Sequence, residues 1–338
     1  MRGSWQSSRP QCSRSPAGCS GDEYEHDSDG LLLAAGTLDM GREATTGLLS
    51  TTSYAAGTGG TVTTSATYNP FAELATFSAS NGATTLYALD VSARDKLGRI
   101  TQKVETIDTG SGPITTTTDY AYDLAGRLDT VHVNGALVND YAYDGNGNRT
   151  ETTPLSGTIA SYDDQDRMLT YEGFAYGYTD NGELLTKTET ATSAVTSYDY
   201  DALGALRSVT LPDGTVVAYG IDAANRRVAK WVTPPGGSAQ HVYGLLYGDA
   251  LNPVARTDAA GAVVQRYVYG TRSNVPDTIV EPGGATYRVV TDHLGSVRLV
   301  VDASSGVIRE RIDYDAFGDV TLREESDAAG TLLAASGL

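Results

Sequence analysis

At 338 residues, with 42 acidic against 24 basic side chains and a formal charge of −18, the chain can bury a core but is too acidic to suit a nucleic-acid backbone or an anionic membrane surface. Its two cysteines, Cys12 and Cys19, exclude a disulfide framework and a four-cysteine zinc site. No apolar run approaches the roughly 18–20 residues needed to span a bilayer, and residues 1–20 hold no hydrophobic stretch of the kind a secretory signal requires.

Residues 1–20 carry three arginines and no acid, whereas 21–30 (GDEYEHDSDG) are strongly acidic, and neither block has hydrophobic periodicity. A disordered leader over 1–30 is therefore expected. From about Leu31 the composition turns to Thr, Val, Tyr, Gly, Asp and Asn, with 21 tyrosines against four phenylalanines and two tryptophans. These are strand and turn formers, and an all-β array of hairpins is predicted over 31–286, followed by a distinct segment over 287–338. LDMGREA (38–44) and TYNPFAEL (67–74) read as degenerate first copies of the repeating unit.

The unit becomes regular further along. Tyr-x-Tyr recurs at Tyr120/Tyr122, Tyr141/Tyr143, Tyr176/Tyr178, Tyr198/Tyr200 and Tyr267/Tyr269. The turns that follow read YDLAGRL (122–128), YDGNGNR (143–149), YDDQDRM (162–168) and YDALGAL (200–206), with RDKLGRI (94–100) and IDAANRR (221–227) as variants. In a strand, residues two apart share a face, so Tyr198 and Tyr200 stand side by side and Asp199 points away. Asp123, Asp144 and Asp201 then open turns in which the carboxylate accepts backbone N–H bonds, and Gly126, Gly147 and Gly204 supply positive φ without steric cost. Successive turns lie about 20 residues apart, the length of two short strands and two turns, which marks a repeat architecture whose units bury their apolar faces against one another. A row of tyrosines on one face holds such a sheet together by cross-strand stacking; the alternative is a sugar-binding surface.

DGNGN (144–148) imitates the start of a calcium loop, but Arg149 and Leu155 stand where an EF-hand needs glycine and glutamate, and a tight turn explains it better, as it does DDQD (163–166). A ligand site, if the array has one, is placed where repeats are irregular, between Trp231 and Pro282. DAAGAVVQRYVYG (258–270) and DASSGVIRERIDYDAFG (302–318) add two more hairpins, and DAAGTLLAASGL (327–338) stops before its tyrosine, so its strand is expected to be unpaired or frayed.

YDLAGRL, with Tyr122, Asp123, Gly126 and Arg127, resembles the tyrosine-aspartate repeat of Rhs proteins. The stretch YRVVTDHLGSVRLVVDASSGVIRERIDYDAFGDV (287–320) is similar to the segment near the end of the Rhs core, with Asp292, His293, Gly295 and Arg298 in its first half and Tyr314, Asp315 and Gly318 in its close. The resemblance covers about 31–338. It implies part of a spiral β-shell of the kind shared by Rhs proteins, the C component of Tc toxins and teneurins. In the bacterial toxins that shell encloses a C-terminal toxic domain, released by self-cleavage at an aspartate-containing site. Here only TLLAASGL follows Gly330 and no Asp-Pro dipeptide occurs, so the expectation is shell material without cleaving end or cargo, with an exposed sheet edge and a tendency to self-associate.

The expected function is thus a structural, encapsulating fragment, with a toxin domain or further shell segments as partner; the alternative is an extracellular carbohydrate-binding or adhesion module. Neither nucleic acid nor a membrane span is expected. No enzyme motif of the nucleophile-elbow, zincin or Walker type is present, and Asp292-His293 reads as a structural pair, so no catalytic, cofactor or metal residues are assigned. Secretion or display at a cell surface is implied by the resemblance alone.

Overall fold

The computed structural model describes residues 24–56, 60–110, 112–152, 159–327 and 330–335, and among them there are only strands, turns and bends. The strands form two antiparallel sheets in which each pairs with its neighbours in sequence: twelve strands run from Tyr24–His26 to Arg149–Thr152, and seventeen from Ala160–Tyr162 to Leu332–Ala334. At the junction the Ile159 N–H donates to the Thr150 carbonyl at 2.9 Å, so the second sheet takes up where the first leaves off. The all-β hairpin array read from the sequence is what the chain forms.

The turn chemistry explains the regularity. The Asp123 N–H donates to the Arg127 carbonyl at 2.9 Å and the Gly126 N–H to the Asp123 carbonyl at 3.0 Å, closing a type I turn with a glycine bulge. Gly126 sits at φ +88° and Gly204 at +79°, and the returning strand holds one extra residue, as between Asp199 and Tyr200 in their pairing with Ser208 and Leu206. Asp166 and Asn225 take the glycine's place at φ +60° and +59°, side chains that tolerate the left-handed region, but so does Ala72 at +63°, which gains nothing there. Gly126→Val and Gly204→Val are each expected to cost about 1–3 kcal/mol, and Ala72→Gly to stabilise by about 1 kcal/mol, read from denaturation midpoints.

Three expectations change. The array begins before residue 31, because Tyr24–His26 pairs with Leu32–Ala35; residues 1–23 lie outside the described part. LDMGREA is not a turn: Asp39 lies within the strand Leu38–Arg42, and the chain reverses after it, where the Gly47 N–H donates to the Glu43 carbonyl at 2.9 Å. The last copy is not frayed over its described residues. Leu332–Ala334 pairs with Val320–Ser326, because the turn from Asp327 to Thr331 closes through backbone bonds and needs no tyrosine, and Leu332 packs on the main core.

That core is not inside either sheet but between them. Val62, Ala79, Leu86, Tyr87, Leu89 and Ile107 of the first sheet pack on Val290, Leu299, Val301 and Ile308 of the second. Smaller clusters join Ala35 and Met40 to Val268, and Leu38 and Tyr54 to Ala303. Between residues 161 and 267, by contrast, the buried apolar side chains are three alanines, Ala205, Ala229 and Ala255. The ribbon's ends are therefore packed on each other and its middle is a single layer.

Candidate functional site

The motif residues tie each hairpin to the next. Asp123 accepts the Arg127 N–H at 2.9 Å through Oδ1 and the Arg127 guanidinium at 2.7 Å through Oδ2. That guanidinium then lies 4.5 Å from the ring of Tyr143 in the next unit and donates to the Asp144 carbonyl at 3.3 Å. The Tyr143 hydroxyl donates back to the Leu128 carbonyl at 2.7 Å. The same linkage joins Asp95, Arg99 and Tyr122, then Asp163, Arg167 and Tyr178, then Asp222, Arg226 and Tyr247. Tyr200, Asp201 and Gly204 keep the turn, with Asp201 accepting the Leu203 and Ala205 N–H groups, but Ala205 stands where those four turns carry arginine.

In these four linkages the tyrosine packs on an arginine and not on the neighbouring tyrosine that cross-strand stacking would offer. Tyr122, Tyr143, Tyr178 and Tyr247 are each covered by the arginine of the preceding turn and donate their hydroxyl to a backbone carbonyl, and Tyr68, Tyr162 and Tyr269 also donate theirs to a carbonyl. These seven hydroxyls are thereby committed to the backbone. At DGNGN the Asp144 carboxylate takes the Asn146 and Asn148 N–H groups while both amide side chains donate to Asp166, so the loop is closed by its own bonds.

The second constellation is a buried ionic seam where the two sheets meet. Arg298 lies between Glu105 Oε1 at 3.3 Å and Asp313 Oδ1 at 2.7 Å. Glu105 also pairs with Lys103 at 2.8 Å and accepts the Tyr87 hydroxyl at 2.7 Å. Burial alone would raise the Glu105 carboxyl, but Lys103 and Arg298 hold it below the usual range, while burial and then Glu105 push the Tyr87 hydroxyl far up. Arg311 joins Asp313 to Glu324. Nearby, Arg288, 1% exposed, donates to the Asp277 carbonyl at 3.0 Å and to Thr52 Oγ1 at 3.1 Å, again across the two sheets.

Asp292 and His293 sit at the rim of this seam, in a turn rather than in a strand. Asp292 Oδ1 accepts three N–H groups, from Leu294, Gly295 and Ser296, and Gly295 lies at φ +97° against Arg272, so the carboxylate is committed to the turn. Burial, then Lys103, pushes the His293 imidazole down. Tyr314, Asp315 and Gly318 form the turn between the strands Ile308–Tyr314 and Val320–Ser326, and its Phe317 ring meets Tyr141 edge-on at 4.9 Å with Arg149 4.0 Å over its face. Sequence reading missed Tyr87, Lys103, Glu105, Asp313 and Arg288. The available signal was Lys103 and Glu105, opposite charges two apart on the face of Ile100–Asp108 that otherwise buries Ile107.

Acid should act on both constellations in the same direction. The Arg127 backbone N–H, then its guanidinium, lower the Asp123 carboxyl; the Arg226 side chain, then its backbone N–H, do so at Asp222. A carboxyl lowered in the folded state stabilises it above the unfolded pKa, about 3.9, and that contribution is lost as pH falls through the folded value. His293 is lowered too, so the unfolded state takes up its proton first and stability declines as pH drops below about 6.5. Melting temperature should therefore fall in two steps on acidification, and His293→Gln should remove the upper one.

Comparison with known proteins places this geometry. A family model described as the teneurin YD-shell matches residues 15–329. Mouse Teneurin-3 is 27% identical over 235 residues, 67% of this chain and 8% of that protein. The tRNA3(Ser)-specific nuclease WapA of Bacillus spizizenii is 30% identical over 203 residues, 58% of this chain and 8% of that protein. The chain thus spans about 8% of the length of these curated relatives. Among solved structures, the TcdB2-TccC3-Cdc42 crystal structure aligns at 13% identity with a TM-score of 0.30, over 90% of this chain and 22% of that one.

Proposed function

This chain belongs to the teneurin YD-shell family, and we propose that it serves as a stretch of shell wall, enclosing and holding a polypeptide rather than catalysing a reaction. The observation that carries this is the single-layered middle of the ribbon, where between residues 161 and 267 the buried apolar side chains are three alanines. The Tyr, Asp, Gly and Arg positions are read as the wall's ties, and residues 287–338 as the part that closes it onto the first sheet through the seam. A toxic polypeptide is the enclosed partner we favour, supported by the nuclease named among the relatives, and the site of action we assign is outside the cell.

Small-angle scattering and expression test this together. A compact 338-residue chain has a radius of gyration near 20 Å, and the wall should exceed it clearly. Induced in a bacterial cytoplasm, the chain should leave growth and tRNA intact. A radius near the compact value, or growth arrest with tRNA loss, would overturn the reading.

A further inference from the structure

The tyrosine face of the ribbon is covered along the first sheet and open along the single-layered middle. Tyr87 and Tyr141 are buried there, under Arg298 and Phe317. The cover reaches as far as Tyr171, whose hydroxyl accepts a bond from Arg149 at 2.9 Å while the Arg149 guanidinium lies 4.0 Å over the Phe317 ring. Tyr171 stands directly opposite Phe174 in the next strand, and cross-strand neighbours share a face, so from Phe174 onward the same face continues without its cover.

That open face is cationic although the chain as a whole carries −18. Tyr176 is opposite Lys187, Lys230 lies between Tyr219 and Tyr243, Ile221 is opposite Arg227, and Leu245 is opposite Arg256. Against these four cations the strands from Phe174 to Tyr267 turn one carboxylate to this side, Glu189, which takes the Thr192 hydroxyl; Asp199 points to the other side and the remaining acids sit in the turns. Among the described residues none of the four forms an ion pair. Lys187 lies 4.0 Å over Phe174, Arg227 4.0 Å over Tyr219, and Arg256 5.7 Å from Tyr243. Two grooves, of about 360 and 350 Å³, open on the face, one at Lys187 and Tyr198 and the other at Arg227 and Tyr243.

The covered stretch shows what such a surface receives. Phe317 enters between Tyr141 and Arg149, and Asp315 and Asp319 of its turn bring negative charge to Tyr141 and Tyr171. The cover is thus polypeptide, with an aromatic side chain flanked by acids. We propose that the open face from Phe174 to Tyr267 holds an acidic stretch of the enclosed polypeptide, in which aspartates or glutamates alternate with aromatic or apolar side chains. The carboxylates answer Lys187, Arg227, Lys230 and Arg256, and the rings fill the grooves between the tyrosines. This rests on the enclosing role for the partner's place, and on charge complementarity and continuity with the covered face for its chemistry. The strands Leu184–Glu189 and Pro253–Thr257 are six apart, roughly 29 Å, which an extended peptide of about nine residues spans.

Fluorescence anisotropy tests it on the full chain, with a fluorescein-labelled peptide of about nine residues alternating Asp with Phe and Tyr. The chain, titrated to about 100 μM, should bind this peptide, more weakly as salt rises, and should ignore a counterpart with Lys in place of every Asp. Arg227→Glu/Lys230→Glu should bind the acidic peptide about tenfold more weakly or worse and take up the lysine counterpart, an exchange of preference that separates loss of charge from loss of fold. Lys187→Glu, in the other groove, should weaken the acidic peptide independently. A wild-type chain that leaves the acidic peptide free, equal binding of both peptides, variants that bind as the wild type does, or binding of heparin where the peptide does not bind would each overturn the proposal. Scattering tests the wall and anisotropy its ligand: an extended chain that ignores the peptide overturns this inference alone, whereas a compact chain that binds it overturns the wall and leaves the acid-binding face standing.

Discussion

Replacing Arg298 with alanine is expected to lower stability by about 3–5 kcal/mol, because it leaves Glu105 and Asp313 facing one another's surroundings without their shared cation. Arg298 and Glu105 belong to different sheets, so the loss falls on the contact that folds the ribbon back on itself. Lys103 remains beside Glu105, 2.8 Å away, and limits the damage on that side, whereas Asp313 keeps Arg311 alone. Asp313→Asn in the Arg298→Ala background should return part of the loss, because Arg311 keeps Glu324 as its partner, whereas Glu105→Gln there should add to it by leaving buried Lys103 without its carboxylate. Denaturant unfolding of the single and double variants measures the coupling, and strict additivity would mean the seam does not act as a unit.

Leu299→Ala is expected to cost about 2–5 kcal/mol. Leu299 is fully buried between Tyr87 and Val62 of the first sheet and Val290 and Val301 of its own, and truncation leaves a void that two facing β-layers close poorly. Leu203→Ala supplies the contrast. Leu203 is 87% exposed at a turn tip, so its truncation should change stability by less than about 0.5 kcal/mol. Equal effects would place the stabilising burial along the repeats and not in the inter-sheet core. The expected difference also predicts protease sensitivity, since Leu299→Ala should loosen the N-terminal strands from the C-terminal ones while leaving neighbouring hairpins paired.

What the sequence determined by itself is everything that one hairpin and its successor decide. An aspartate whose carboxylate can reach its own turn, a glycine four residues after a tyrosine, and alternating strands between them specify each turn's geometry locally, so Tyr122, Asp123 and Gly126, or Tyr200, Asp201 and Gly204, could be located without a fold. The order of the strands followed as well, because hairpins of this spacing pair with their chain neighbours. The role of Arg127 lay one step further off. Its cover over Tyr143 depends on how one unit is set against the next, which the repeat spacing implies but does not orient. Only the tertiary structure decided that residues near 35–150 meet those near 265–325. Arg288 reaches Thr52, and Arg298 reaches Glu105, across separations of 236 and 193 residues, and no local propensity encodes contacts between strands so distant in the chain. Charge made them harder to find, since Lys103, Glu105, Arg288 and Arg298 read as solvent-facing residues until a second sheet covers them and each finds its partner there.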